Sequence, residues 1–96
     1  MSQPDYVFTS AEDQLELRRL QAIEREFDPA SCRRLYATGL TAGWRCLEVG
    51  PGAGSLMQWM GERVGPSGHV IALDLSTKFL TAQRPAHIEV QQGDIR

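Results

Sequence analysis

The sequence predicts an α/β chain: three parallel strands in the order 3-2-1, half of a doubly wound sheet, preceded by two helices. Three observations predict it. At Trp44 the apolar pattern changes from helical stripes to short apolar runs. From there the order is strand, helix, strand, helix, strand, which right-handed crossovers turn into one parallel half-sheet. The loop after the first of these strands, Gly50-Pro51-Gly52-Ala53-Gly54, is rich in glycine. The chain divides accordingly into an arm and helical cap (1–43) and the partial sheet domain (44–96).

Residues 1–9 have no period and read as an arm, with Tyr6, Val7 and Phe8 available for packing. Ser10 is an N-cap, and Glu12 and Asp13 fall in the first turn, where the helix dipole favours anions. Leu17, Leu20, Ile23 and Phe27 recur at helical spacing, so a helix from Ala11 to Phe27 is expected to bury one stripe. Asp28-Pro29 is expected to end that helix and start another, with Asp28 as N-cap and Pro29 at the first helical position. The second helix is expected to bury Cys32, Leu35 and Tyr36 and to stop at Gly39, with Leu40 as the apolar contact that follows.

Cys46-Leu47-Glu48-Val49 is strand-like by length and flanking glycines. Ser55 opens a helix with Leu56, Met60 and Val64 on its inner stripe, closed by Gly65-Pro66. Val70-Ile71-Ala72-Leu73 is a near-continuous apolar strand ending at Asp74, the pattern of a strand covered on both faces. Ser76 is placed to cap a short helix from Thr77 to Gln83, which Arg84-Pro85-Ala86 breaks. Ile88 to Val90 is the third strand, followed by Gly93-Asp94.

Composition narrows the function classes. The chain has 96 residues, so it holds one small domain at most. With 42% hydrophobic residues it is rich enough in apolar groups to fold. A net charge of −2 gives no electrostatic footprint for nucleic acid or an anionic membrane, and the pairs Arg18-Arg19 and Arg33-Arg34 read as solvated helix faces. No apolar stretch approaches the roughly 20 residues that span a bilayer, and no secretory signal opens the chain. Cys32 and Cys46 have no metal-ligand spacing, so no metal site is expected; they read as inert packing thiols in a reducing, cytoplasmic compartment. His69 and His87 precede the second and third strands, at the edge of the sheet opposite its ligand crevice, and are expected to be structural or solvated.

The loop is where chemistry concentrates. Gly50, Gly52 and Gly54 let the backbone turn sharply and approach a ligand closely, and the helix behind them points free N–H groups at the same place. The same composition also serves plain connections. Asp74 ends the second strand twenty residues after Gly54 and is placed to accept both hydroxyls of a ribose, or else to serve as a helix cap with Ser76. The dinucleotide fingerprint G-x-G-x-x-G requires a glycine where Ser55 stands, and Gly54 comes one residue early.

The run Cys46-Leu47-Glu48-Val49-Gly50-Pro51-Gly52-Ala53-Gly54-Ser55 resembles motif I of class I S-adenosylmethionine-dependent methyltransferases. Asp74 and Gly93-Asp94 fall where that family keeps two further acids, so the resemblance covers three motifs in order. It implies a Rossmann-like fold and S-adenosylmethionine as cofactor. Gly50, Gly52 and Gly54 would pass its methionine part, Glu48 would meet its ammonium, and Asp74 would hold its ribose. Asp94 would accept from the adenine amino group, with Ile95 and Leu75 packing on either side of the ring. The arm and first helix look like the N-terminal cap of small-molecule methyltransferases, which makes Tyr6 and Arg19 candidates to close over the cofactor; for Arg19 a plain surface role is equally compatible.

No general base is evident, so the catalytic residues are unassigned. That family's sheet has seven strands, and its acceptor loops follow the fourth and fifth. The chain is therefore expected to be a cofactor-binding portion, inactive alone, whose acceptor is a small molecule. Its first strand would be an open edge, completed by self-association or by a missing C-terminal half. The alternatives are a non-catalytic remnant or interaction module, and another nucleotide binder.

Overall fold

The computed structural model describes residues 10–80 and 83–94. Its elements are α1 (Ala11–Ala37), β1 (Arg45–Val49), α2 (Ser55–Val64), β2 (His69–Asp74) and β3 (Ile88–Gln92). The strands pair in the order β1-β2-β3, both pairs parallel, with Leu47 beside Ile71 and Ile71 beside Glu89. The expected α/β, Rossmann-like half-sheet is what forms, and β1 is an edge strand.

The break expected at Asp28-Pro29 does not occur. One helix runs from Ala11 to Ala37 with Pro29 inside it. Interior proline removes one helical hydrogen bond and costs roughly 3 kcal/mol. Contacts across the fold hold the helix on both sides of the proline: before it the Glu24 and Asp28 carboxylates, one turn apart, both grip Ser55 at the start of α2, and after it Leu35 packs against the core. Asp28 therefore caps nothing on its own helix. The start and stop are as expected: Ser10 Oγ accepts from Asp13 N at 3.0 Å, and Gly39, at φ 91°, ends the helix before buried Leu40.

No described residue of α1 is fully buried, which corrects the expected stripe. Leu20, Ile23 and Phe27 share a face, but that face lines a cleft instead of the core, and Phe27 is 61% exposed. Cys32 and Leu35 are half-buried and Tyr36 is exposed, its ring under the Arg63 guanidinium at 4.8 Å.

The core lies between α2 and one face of the sheet. Met57, Met60 and Val64 of α2 meet Val70 and Ala72 of β2, Ile88 of β3, and Leu40 and Leu80 from the connections. Gly61 is what lets α2 come this close, because a Cβ there would sit 2.2 Å from Ile88 Cδ1. β2 was expected to be covered on both faces. Only Val70 and Ala72, which alternate, are buried, so one face is covered. On the other, Leu47 (65% exposed) and Val49 (52%) stand beside Ile71 and Leu73.

The short helix expected from Thr77 also does not form among the described residues. Leu80 N donates to Thr77 O at 2.9 Å in a single turn, and Lys78 reaches Asp13 on α1 at 2.5 Å. No described helix is long and apolar enough to cross a membrane.

Candidate functional site at the carboxyl end of the sheet

The parallel ladder carries the chain into the glycine loop. Gly50 N, one step past β1, donates to Leu73 O at 2.8 Å, and Gly93 N, one step past β3, donates to Asp74 O at 2.9 Å. These two bonds bring the loop, Asp74 and Asp94 to one end of the sheet. Gly50, Gly52 and Gly54 all have positive φ (72°, 63° and 93°), which residues with a Cβ adopt only with strain.

The three glycines face different surroundings. A Cβ on Gly50 would meet nothing within 4 Å, and one on Gly52 would touch Leu20 and Glu24 at ordinary distances. A Cβ on Gly54 would stand 2.9 Å from Leu80 Cδ2 and 3.1 Å from Met57 Cε. Gly50 thus borders open space and Gly52 faces α1 at ordinary contact distance, while buried Gly54 faces the core and starts α2 without a side-chain cap.

Two clefts meet at Gly50. One, of about 190 Å³, lies between α1 and the loop, with Leu20, Ile23 and Phe27 as its apolar wall and Glu24, Asp28 and Glu48 as its acids. The other, of about 210 Å³, is lined by Val49, Gly50, Leu73, Asp74, Leu75, Gly93 and Asp94. Six of the sequence-derived candidates therefore converge on the first cleft's loop and the second cleft: Glu48, Gly50, Gly52, Asp74, Leu75 and Asp94.

Glu48 is the most perturbed group. Burial pushes its carboxyl up to about 7, and the negative neighbours Asp28, Glu24 and Asp74 push in the same direction. Its Oε1 is sealed from solvent and has no hydrogen-bond partner among the described residues. Asp74 keeps one local contact, from Ser76 N at 3.5 Å, too long for a strong bond. With no helix starting at Ser76 among the described residues, the capping role for Asp74 has nothing to cap.

Comparison with known proteins adds one likeness. No family model matches the chain, and no curated protein matches it. Among solved structures it is similar to a SAM-dependent methyltransferase from Aquifex aeolicus, at 23% identity and a TM-score of 0.48. The match covers 98% of this chain and 48% of that one, so the chain spans about half the length of that protein.

Other candidates fall elsewhere. Arg19 is exposed and holds Glu16 on its own helix through two bonds of 2.8 and 2.6 Å; it lines neither cleft. Tyr6 and Ile95 lie outside the described residues. His69 contacts Glu89 at 3.1 Å and His87 contacts Gly61 O at 2.9 Å, both at the amino end of the sheet, as expected. Burial raises the thiols of Cys32 and Cys46 above the ordinary range, which suits inert packing groups. No group of described residues has the donor set of a metal site.

Sequence reasoning missed Glu24 and Asp28 as site residues. Their i,i+4 spacing on the same face as Leu20 and Phe27 was visible, but nothing local says that this face turns toward the loop.

Proposed function

We propose that the two clefts form one binding site for S-adenosylmethionine and that the chain is the cofactor-binding portion of an S-adenosylmethionine-dependent methyltransferase with a small-molecule acceptor. The observation that carries this reading is Glu48. A carboxylate whose Oε1 is buried without a partner among the described residues, beside three other carboxylates, is costly to ionise unless a cation joins it. The cofactor's ammonium is such a cation, and the glycine loop beside Glu48 leaves room for the chain that bears it. A dinucleotide offers phosphate at this place and would add to the repulsion.

The residues present fit the rest of the cofactor. Gly50 and Gly52 would pass its methionine part, Asp74 would accept from both ribose hydroxyls, and Leu75 and Asp94 would border its adenine. When bound, the cofactor supplies a methyl group on a positively charged sulfur, open to in-line attack. This chain's residues contribute orientation: Glu48 and Asp74 fix the two ends, and Leu20, Ile23 and Phe27 keep water from the loop side. Among the described residues none stands out as a general base, and the catalytic assignment stays open.

Calorimetry with S-adenosylhomocysteine and, separately, NAD tests the reading. Measurable binding of S-adenosylhomocysteine with weaker or no binding of NAD is expected. Tighter binding of NAD would overturn it in favour of another nucleotide binder.

A further inference from the structure

A glycine-rich loop leading into a helix is ordinarily an anion receptor, because the helix start offers free N–H groups and the positive end of its dipole. In this chain the place is already taken by the chain's own acids. Glu24 Oε2 accepts from Ser55 N at 3.2 Å, and Asp28 Oδ2 accepts from Ser55 Oγ. The two acids stand one turn apart, so a single face of α1 presents both to the start of α2. Glu48 adds a third carboxylate to the same cleft, and its lining contains no Lys, Arg or His among the described residues. Arg25 lines a neighbouring groove that Glu24, Asp28 and Ser55 also border, on the other side of the two acids from Glu48.

We propose that Glu24 and Asp28 are specificity determinants of the glycine-loop cleft: they occupy the anion-receiving end of α2, exclude phosphate-bearing ligands, and leave the loop to a ligand that presents an ammonium group to them. Exclusion works in two ways. The Ser55 N–H that a phosphate oxygen would use is engaged by Glu24, and any phosphate that displaced it would meet the negative field of Asp28 and Glu48. Both effects have the opposite sign for an ammonium group, which the same field attracts. The identity of the favoured ligand rests on the cofactor reading above; the exclusion of phosphate does not.

The test uses the double variant Glu24→Gln with Asp28→Asn, in which each side chain keeps its shape and loses its charge. Inorganic pyrophosphate and S-adenosylhomocysteine are titrated against wild type and variant by calorimetry, with circular dichroism and thermal melting as the check on folding. The variant is expected to bind pyrophosphate at least on the order of tenfold more tightly than wild type and S-adenosylhomocysteine more weakly. A folded variant with no gain for pyrophosphate would overturn the proposal. Should the double variant unfold, Glu24→Gln alone retains the Asp28–Ser55 contact and is expected to show a smaller gain in the same direction, whose absence overturns the proposal equally. The two readings fail separately: no binding of S-adenosylhomocysteine by wild type, with a gain for pyrophosphate in the variant, sinks the cofactor and keeps the exclusion. Binding of S-adenosylhomocysteine by wild type with no gain in the variant does the reverse.

Discussion

Glu48→Gln should stabilise the free chain while impairing its binding site, and the two effects should share one pH dependence. The carboxyl of Glu48 is raised from the ordinary 4.5 to about 7 by burial and by Asp28, Glu24 and Asp74. Between those values the folded chain keeps a proton that the unfolded chain has released. Stability tied to this group is therefore fully present below about 4.5 and is lost as pH rises through about 7. Taken at face value that separation corresponds to about 3 kcal/mol. Glu48 is only partly shielded from water, and solvent screening reduces the figure to about 1–2 kcal/mol. An amide does not ionise, so the variant should come close to wild type at pH 4 and exceed it by about 1–2 kcal/mol at pH 8 in urea melts. Binding of S-adenosylhomocysteine should move the other way. About a tenth of Glu48 is ionised at pH 6 and about three quarters at pH 7.5, so wild-type affinity should rise by about eightfold between them, and that of the variant should stay flat. A variant less stable than wild type at pH 8, or one that keeps the wild-type rise in affinity, would refute the assignment of Glu48 to a cation.

Three further outcomes are expected. Gly54→Ala should cost about 2–4 kcal/mol in a urea melt, from the left-handed backbone and from the clash with Leu80 and Met57, whereas Gly50→Ala should cost only the backbone strain of about 1–2 kcal/mol; equal losses would contradict the different surroundings of the two glycines. Asp74→Ala should weaken S-adenosylhomocysteine by about 2–3 kcal/mol in calorimetry and leave the melting temperature nearly unchanged, since its side-chain bond among the described residues is long; a large loss of stability with intact binding would give Asp74 a structural role. The open edge of β1 and exposed Leu47 and Val49 should pair the chain with a second copy, and Leu47→Lys should shift sedimentation toward monomer; identical, concentration-independent sedimentation of the two proteins would remove that reading.

The parts of the fold that could be read from the sequence are those decided locally. Strand positions followed from short apolar runs between glycines, and the loop followed from three residues that all adopt positive φ. The site's axis was legible for the same reason, because Glu48 and Asp74 sit at the ends of those runs. What could not be read depends on partners far along the chain. Pro29 ordinarily ends a helix, and the contacts that hold this one on both sides of the proline, Asp28 to Ser55 before it and Leu35 on the core after it, are made far along the chain. The stripe through Leu20, Ile23 and Phe27 has the spacing of a core face, and periodicity does not distinguish a core from the wall of a cleft. Gly54 was expected to serve the ligand side of the loop, yet the space it relieves is occupied by Leu80.

The central claim is that Glu48, the glycine loop and Asp74 together hold an S-adenosyl ligand at the carboxyl end of the sheet. Amide chemical-shift mapping tests it most directly, with S-adenosylhomocysteine added to the ¹⁵N-labelled chain. The expected result is movement of Gly50, Gly52, Asp74, Leu75 and Gly93, with Gly68 and His87 at the opposite end unmoved. Shifts centred on Gly68 and His87, or none at saturating ligand, would contradict it.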